Sequence, residues 1–344
     1  MNDLKQRQKD VLRVIVSTYV KTVNPVGSRT IAKYYQNEFS PATIRNEMHD
    51  LEEREYISQP HTSAGRVPTD KGYRYYVDHL MPESKVPVHV AALVAREYRE
   101  RIDNMEALVE RTSKILSTLS EQAGFVVFPV FEELAFKRIE LTSLGHFRLL
   151  VVWVTHNGFI QDRVIDMKEE IPEVELERIS RFLNQELSGR LLAEIEPYLA
   201  QKLERATDAL RALHRIASLI VRDSFPKTLE RKLSVQGSRY ILEQPEFKDW
   251  EKSRRLFKIL DSKESLIDLC HAKAGSVGVQ IQIGSEHHCD DIRDCSLITA
   301  QYYVDQKPTG TLGILGPRRM RYDQTISLVD FVSRRFGEWL EKWI

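Results

Sequence analysis

Residues 40–54 carry the side chains whose types and spacing point most directly to chemistry. On a helical wheel of about 100° per residue, Ile44, Met48 and Leu51 form one apolar stripe. Ala42, Asn46 and His49 fall on the opposite face, flanked by Thr43 and Arg45. This set suits the edges of DNA base pairs. Asn pairs bidentately with adenine, Arg with guanine or phosphate, and Ala or Thr touches the thymine methyl. Bases are read from the N-terminal part of such a helix. Ala42, Thr43, Arg45 and Asn46 lie there, while the acids Glu47, Asp50, Glu52, Glu53 and Glu55 come later, where they repel phosphate less. Taken alone, the segment also fits an amphipathic surface helix.

Its neighbours strengthen the nucleic-acid reading. Ser40 stands as N-cap and Pro41 at the first helical position. Ser28, Arg29 and Thr30 open a short helix at 29–36, with Ser28 as cap, where exposed N–H groups favour a phosphate. The loop 61–66 is small, flexible and ends in Arg66, which suits a phosphate or a minor groove as well as an ordinary hairpin. Lys71 and Arg74 follow as further cations, with Tyr73, Tyr75 and Tyr76 expected in the core.

The elements that must position these groups follow from periodicity. Residues 4–20 read as a helix, with Val11, Ile15 and Tyr19 widened by Leu12 and Val16. Residues 24–27 form a turn. Residues 56–59 alternate as a short strand, 60–65 turn, 66–68 return, and Thr69 caps a helix over 70–80. Three helices, a hairpin and a helix outline a winged helix-turn-helix over 1–82, followed by a linker at 83–94.

Net charge is zero, from 50 basic and 50 acidic residues. Residues 1–45 nevertheless carry eight cations (Lys5, Arg7, Lys9, Arg13, Lys21, Arg29, Lys33, Arg45) against Asp3, Asp10 and Glu38. Overall neutrality limits non-specific DNA affinity and leaves room for specific contacts from a dimer. With 42% hydrophobic residues, no apolar run of membrane-spanning length, no signal-peptide pattern and three cysteines without a CxxC pair, a cytoplasmic protein without membrane or disulfide framework is expected.

The rest of the chain reads as a multi-domain α+β protein. A helix spans 89–120, with Ile102, Met105, Val109, Thr112, Leu116 and Leu119 as its stripe. Strands are expected at 124–130, 134–143, 146–154, 158–166, 276–283, 296–304 and 310–315, and a last helix at 322–343. One sheet domain over 95–166 and 246–344 is therefore split by a largely helical insertion at 167–245. Within the insertion, residues 197–223 present Leu199, Leu203, Ala206, Leu210, Leu213, Ala217 and Ile220, a 4-3-4-3-4-3 seam for side-by-side helices, within its own domain or between copies.

Other chemistry finds little support. His287, His288, Cys289 and Cys295 match no standard zinc spacing, and Asp290, Asp291, Arg293 and Asp294 read as a solvated loop. Cys270 reads as a core thiol. No nucleophile elbow, HExxH or Walker sequence is present, and Gly145, Gly158, Gly275 and Gly278 fit turns and strand starts. No enzyme, metal or cofactor is expected.

GSRTIA (27–32), SPATIRNEMHDLEEREYI (40–57) and above all HTSAGRVPTDKGYRYYVD (61–78) resemble the HrcA family of heat-inducible transcription repressors. QPEF (244–247) and GTLGILGPRRMRY (310–322) resemble its C-terminal region. The resemblance implies an N-terminal winged helix, a GAF-like α/β sheet domain and an inserted, mainly helical dimerisation domain. It implies a dimeric repressor of groE- and dnaK-type chaperone operons at an inverted-repeat operator called CIRCE, with the GroEL chaperonin as partner promoting repression. The operator-reading region maps onto 40–49 and the wing onto 61–66. The alternative is a GAF-domain transcription factor controlled by a small-molecule ligand.

Overall fold

The computed structural model describes residues 4–36, 38–62, 64–99, 105–127, 134–156, 160–225, 233–271, 278–304 and 306–343. The expected positions Ser63, Ile102, Gly158, Gly275 and 128–130 lie outside them, as do the side chains of Met105, Cys270 and Trp343.

The N-terminal unit begins with α1 (Gln6–Thr22), α2 (Ser28–Tyr34) and α3 (Pro41–Glu53). The apolar stripes meet: Val11, Leu12 and Ile15 of α1, Ile31 of α2, and Ile44 and Leu51 of α3 are all buried. The Ser40 hydroxyl accepts the Thr43 N–H at 3.1 Å, closing the first turn of α3. Gly27, rather than Ser28, caps α2, so Ser28 is the first helical residue. β1 (Ile57–Ser58) pairs antiparallel with β2 (Val67–Pro68), and Val26 bridges Arg66, adding a third short rung. A Cβ on Gly65 would sit 2.5 Å from the Val26 carbonyl carbon, so only glycine lets the loop pass this close. α4 (Asp70–Tyr75) continues into a π-helical turn over Tyr76–Leu80.

The expected helix over 89–120 is two helices, α5 (Val88–Arg99) and α6 (Met105–Ser120). They form a hairpin in which Tyr98 and Thr112 hydroxyls meet at 3.1 Å and Arg111 donates to the Glu97 carbonyl. β3 (Ala123–Val127) follows. Then come β4 (Phe136–Gly145), β5 (Arg148–Thr155) and β6 (Ile160–Asp166), and α7 (Glu173–Leu187), α8 (Leu192–Glu204) and α9 (Asp208–Ser224). The chain returns through β7 (Leu233–Gln236), α10 (Ser238–Leu242), α11 (Trp250–Asp261), α12 (Lys263–His271), β8 (Val279–Ile283), β9 (Cys295–Val304), β10 (Lys307–Pro317) and α13 (Tyr322–Trp343).

Two larger sheets result, with orders β7-β3-β10-β9-β8 and β4-β5-β6, every pair antiparallel. The five-stranded sheet is covered on both faces. Val126, Ile298, Leu312 and Ile314 pack with α6, α13 and the winged helix. Phe125, Val127, Leu297 and Leu315 pack with Ile241 of α10, Leu256 of α11 and Leu266 of α12. The three-stranded sheet has a core of its own, in which Leu149, Val151 and Trp153 meet Ile179, Leu183, Leu199, Ala217 and Ile220.

Two expectations need correction. Strands 134–166 do not belong to the sheet built by β3 and the C-terminal strands, and β7 returns to that sheet by pairing Val235 with Phe125. The interposed unit therefore covers β4 to α9 (136–224) instead of 167–245. Alternation within a strand fixes which residues share a face, not which strand lies alongside. The 197–223 seam is also not one helix. It breaks between Glu204 and Asp208, and Leu199, Leu213, Ala217 and Ile220 are buried inside their own unit. Leu203 and Ala206 are half-buried, and Leu210 alone is exposed, at 41%.

Candidate nucleic-acid interface

The cap at Ser40 and the buried Ile44–Met48–Leu51 stripe fix the rotation of α3. Ala42, Arg45, Asn46 and His49 then stand exposed on one face, with Thr43 half-buried and bonded to the Ser40 hydroxyl at 3.0 Å. Among the described residues, the side chains of Arg45 and Asn46 have no ion-pair or hydrogen-bond partner, so both are available to a ligand. Arg29 and Thr30 are exposed at the start of α2, and Ser28 is half-buried.

The acids of α3 are answered from within the protein. Glu47 faces Arg7 at 3.5 Å, and Asp50 accepts from the buried Gln8 at 3.1 Å. Glu53 lies 3.4 Å from His49. Glu52 takes the Arg66 guanidinium, with Nε at 2.9 Å and Nη2 at 2.8 Å. Arg66 was expected as a cation reaching phosphate. Its side chain instead ties the wing to α3, while its backbone N–H and carbonyl bond Val26 at 2.9 Å each. The wing is shaped further by Gln59, which donates to the Thr62 and Ala64 carbonyls.

Lys71 donates to the Arg54 carbonyl at 2.8 Å and lies over the Tyr56 ring, clamping α4 to the end of α3. Arg74 needs a stronger correction. Its Nε and Nη2 grip both oxygens of Glu286, at 2.7 and 2.5 Å, and its Nη2 also donates to the Ile281 carbonyl. The Glu286 bond holds this guanidinium more firmly protonated than usual. Arg74 docks the winged helix onto the five-stranded sheet and is not presented to a phosphate.

Sequence reasoning missed that this docking is a set of arginine bonds. Arg318 donates to Asp70 at 2.8 Å, and the Ser285 N–H bonds the other Asp70 oxygen. Burial raises the Asp70 pKa, but these bonds outweigh it and hold the carboxyl below its usual range. Arg319 binds both oxygens of Glu246, the Gln244 amide oxygen at 2.7 Å and the Val20 carbonyl at the end of α1. The QPEF and GPRRM runs held the signal, since they place Gln244, Glu246, Arg318 and Arg319 in two motifs. Nothing in their spacing shows that they meet. Tyr73 is buried, as expected, and reaches Tyr322 of α13.

His287 is buried, with Nδ1 at 3.0 Å from the Gln282 amide and Nε2 at 3.2 Å from the Cys295 carbonyl. Burial lowers its pKa and favours the neutral ring. Among the described residues, no group of three His, Cys, Asp or Glu side chains is placed to hold a metal, and no helix is long and apolar enough to cross a membrane.

A helix with an unpartnered Arg–Asn face, set beside a short hairpin held close to Val26 at Gly65, defines a winged helix-turn-helix DNA-binding regulator. Residues 3–79 match the family described as winged helix-turn-helix transcription repressor, HrcA DNA-binding, and residues 106–326 match the HrcA protein C-terminal domain. The heat-inducible transcription repressor HrcA of Pelotomaculum thermopropionicum is 40% identical over 339 residues, covering 98% of this chain and 97% of the relative. That of Geobacter sulfurreducens is 36% identical over 341 residues, covering 99% of each. A crystal structure described as that of a hypothetical protein is 26% identical, with a TM-score of 0.68, over 99% of this chain and 100% of that one. The chain belongs to the HrcA family of heat-inducible transcription repressors, which are DNA-binding regulators and not enzymes.

Proposed function

We propose that the chain represses groE- and dnaK-type chaperone operons by binding, as a homodimer, an inverted-repeat operator of the CIRCE kind, and that the GroEL chaperonin promotes repression. The observation that carries this reading is the α3 face, where Ala42, Arg45, Asn46 and His49 are exposed above a capped and buried helix. Operator palindromy mirrors two-fold symmetry in the reader. Arg29, Thr30 and Ser28 would contact backbone phosphate beside it.

The second copy is best seated on the outer face of the three-stranded sheet. Cross-strand pairs place Leu150 with Val164 and Val154 with Ile160 on that face, opposite the Trp153 side. Ile160 is 61% exposed and Val164 49%, an apolar patch that a partner would cover. The sheet domain's two covered faces support the GAF-like reading, and a repressor of chaperone operons would act in the cytoplasm.

A gel shift on an inverted repeat upstream of chaperonin genes tests the proposal. It should show a discrete complex, tighter when chaperonin is added. Equal binding to a scrambled duplex would defeat the repressor reading, and no response to chaperonin would remove that partner. The ligand-controlled alternative is favoured by one feature, a cavity beside α1.

A further inference from the structure

A cavity of about 290 Å³ lies where the end of α1, the end of α6 and the first turn of α13 converge. Its walls include Lys21, Gln122, Arg319, Arg321, Gln324 and Thr325. Gln122 is the informative residue. Its side chain is 8% exposed, its amide oxygen is buried without a hydrogen-bond partner, and neither end of the carboxamide is bonded among the described residues. Buried polar groups are nearly always satisfied, and here the oxygen is sealed off, so the unbonded NH2 end of the amide is the one a ligand in the cavity can meet. Gly316 lies against this amide: a Cβ there would come 2.6 Å from the amide oxygen.

The charge of the walls sets the ligand's sign. Lys21 and Arg321 have no ion-pair partner among the described residues, and Arg319 is held by Glu246. Glu121 also lines the cavity, so free cations outnumber free acids there by two to one. The first turn of α13 adds N–H groups without intrahelical partners. A carboxamide beside these groups calls for a hydroxyl or another polar group on the same molecule.

We propose that this cavity binds a small organic anion carrying a hydroxyl group, a hydroxy acid or a phosphorylated polyol, and that occupancy alters how the winged helix is held. The coupling runs through Arg319, which lines the cavity and bonds the Val20 carbonyl of α1. A ligand anion competing for Arg319 weakens that bond and so changes operator affinity. The site is independent of which operator the chain reads, because its occupancy can be measured without DNA.

Calorimetry on the full chain with glycerol 3-phosphate, malate, inorganic phosphate and glycerol tests the site. Glycerol 3-phosphate or malate should bind at millimolar concentration or below, more tightly than phosphate, with glycerol silent. Gln122→Met keeps the side chain's volume and should fold normally, while weakening binding about tenfold. Arg321→Ala should do the same from the exposed side, without a change in thermal midpoint. No binding by any probe, phosphate binding as tightly as the organic anions, or unchanged affinity in both variants would overturn the site. The bound anion should also change operator affinity about fivefold or more in anisotropy. Binding with no such change would overturn the coupling.

Discussion

Arg66 and Asn46 lie 20 residues apart and are each polar side chains of the reading unit, yet they act differently. Asn46 has no partner within the protein, so Asn46→Ala should lose operator affinity worth about 1–3 kcal/mol, with folding unchanged. Arg66 is held by Glu52, which its removal would leave as an unpaired acid on the reading helix. Arg66→Ala should therefore weaken operator binding, and Arg66→Ala with Glu52→Gln should recover most of the loss. A phosphate-contacting Arg66 would give no recovery, and the double variant would keep a salt slope lowered by about one unit. The α3 face was legible because helical period alone sets which residues point outward. The partners of Arg66 and Arg74 were not, since Glu52 is 14 residues away and Glu286 is 212.

Elements were legible where periodicity was strong. Helix α13 falls where the apolar pattern puts it, because an amphipathic stripe marks both existence and extent. The strands over 134–166 were also legible as strands, but their sheet was not, because pairing is long-range. The seam at 197–223 shows another limit: a repeat of 3 and 4 persists across a break, and four of its seven residues are buried within their own unit. Two substitutions separate these roles. Leu213→Glu places a charge in the core and should unfold the interposed unit, lowering the thermal midpoint sharply. Leu210→Glu should leave folding intact, since that side chain is exposed. Sedimentation of Val164→Glu should give a folded monomer if the outer sheet face is the dimer surface, and an unchanged dimer would move the interface elsewhere. Ser40→Ala should cost about 1 kcal/mol through the lost cap, read as a lower midpoint.

Across the whole molecule, the winged helix is seated on the five-stranded sheet by Arg74–Glu286, Arg318–Asp70 and the bond from Arg319 to the Val20 carbonyl, around a shared apolar core. Bonds from Arg318 and Ser285, set against burial, put the folded Asp70 carboxyl below its ordinary value of 3.8. Its contribution is therefore complete above that value and fades as pH falls through the lower folded value. Thermal unfolding from pH 7 downward should show this acid loss, and Asp70→Asn should be less stable at pH 7 and lose less on acidification. Equal acid sensitivity in both would remove Asp70 from the docking. A neutral chain can still read DNA specifically if each of two copies presents an unpaired cation such as Arg45 on a rigidly seated face. Fluorescence anisotropy on an inverted-repeat operator and on a scrambled duplex, at one fixed salt concentration, measures that directly. The expected result is a preference for the operator of about a thousandfold or more, narrowed by Arg45→Ala and by Asn46→Ala. Both variants holding the operator as tightly as the unsubstituted chain would contradict the assignment of α3 as the reading helix.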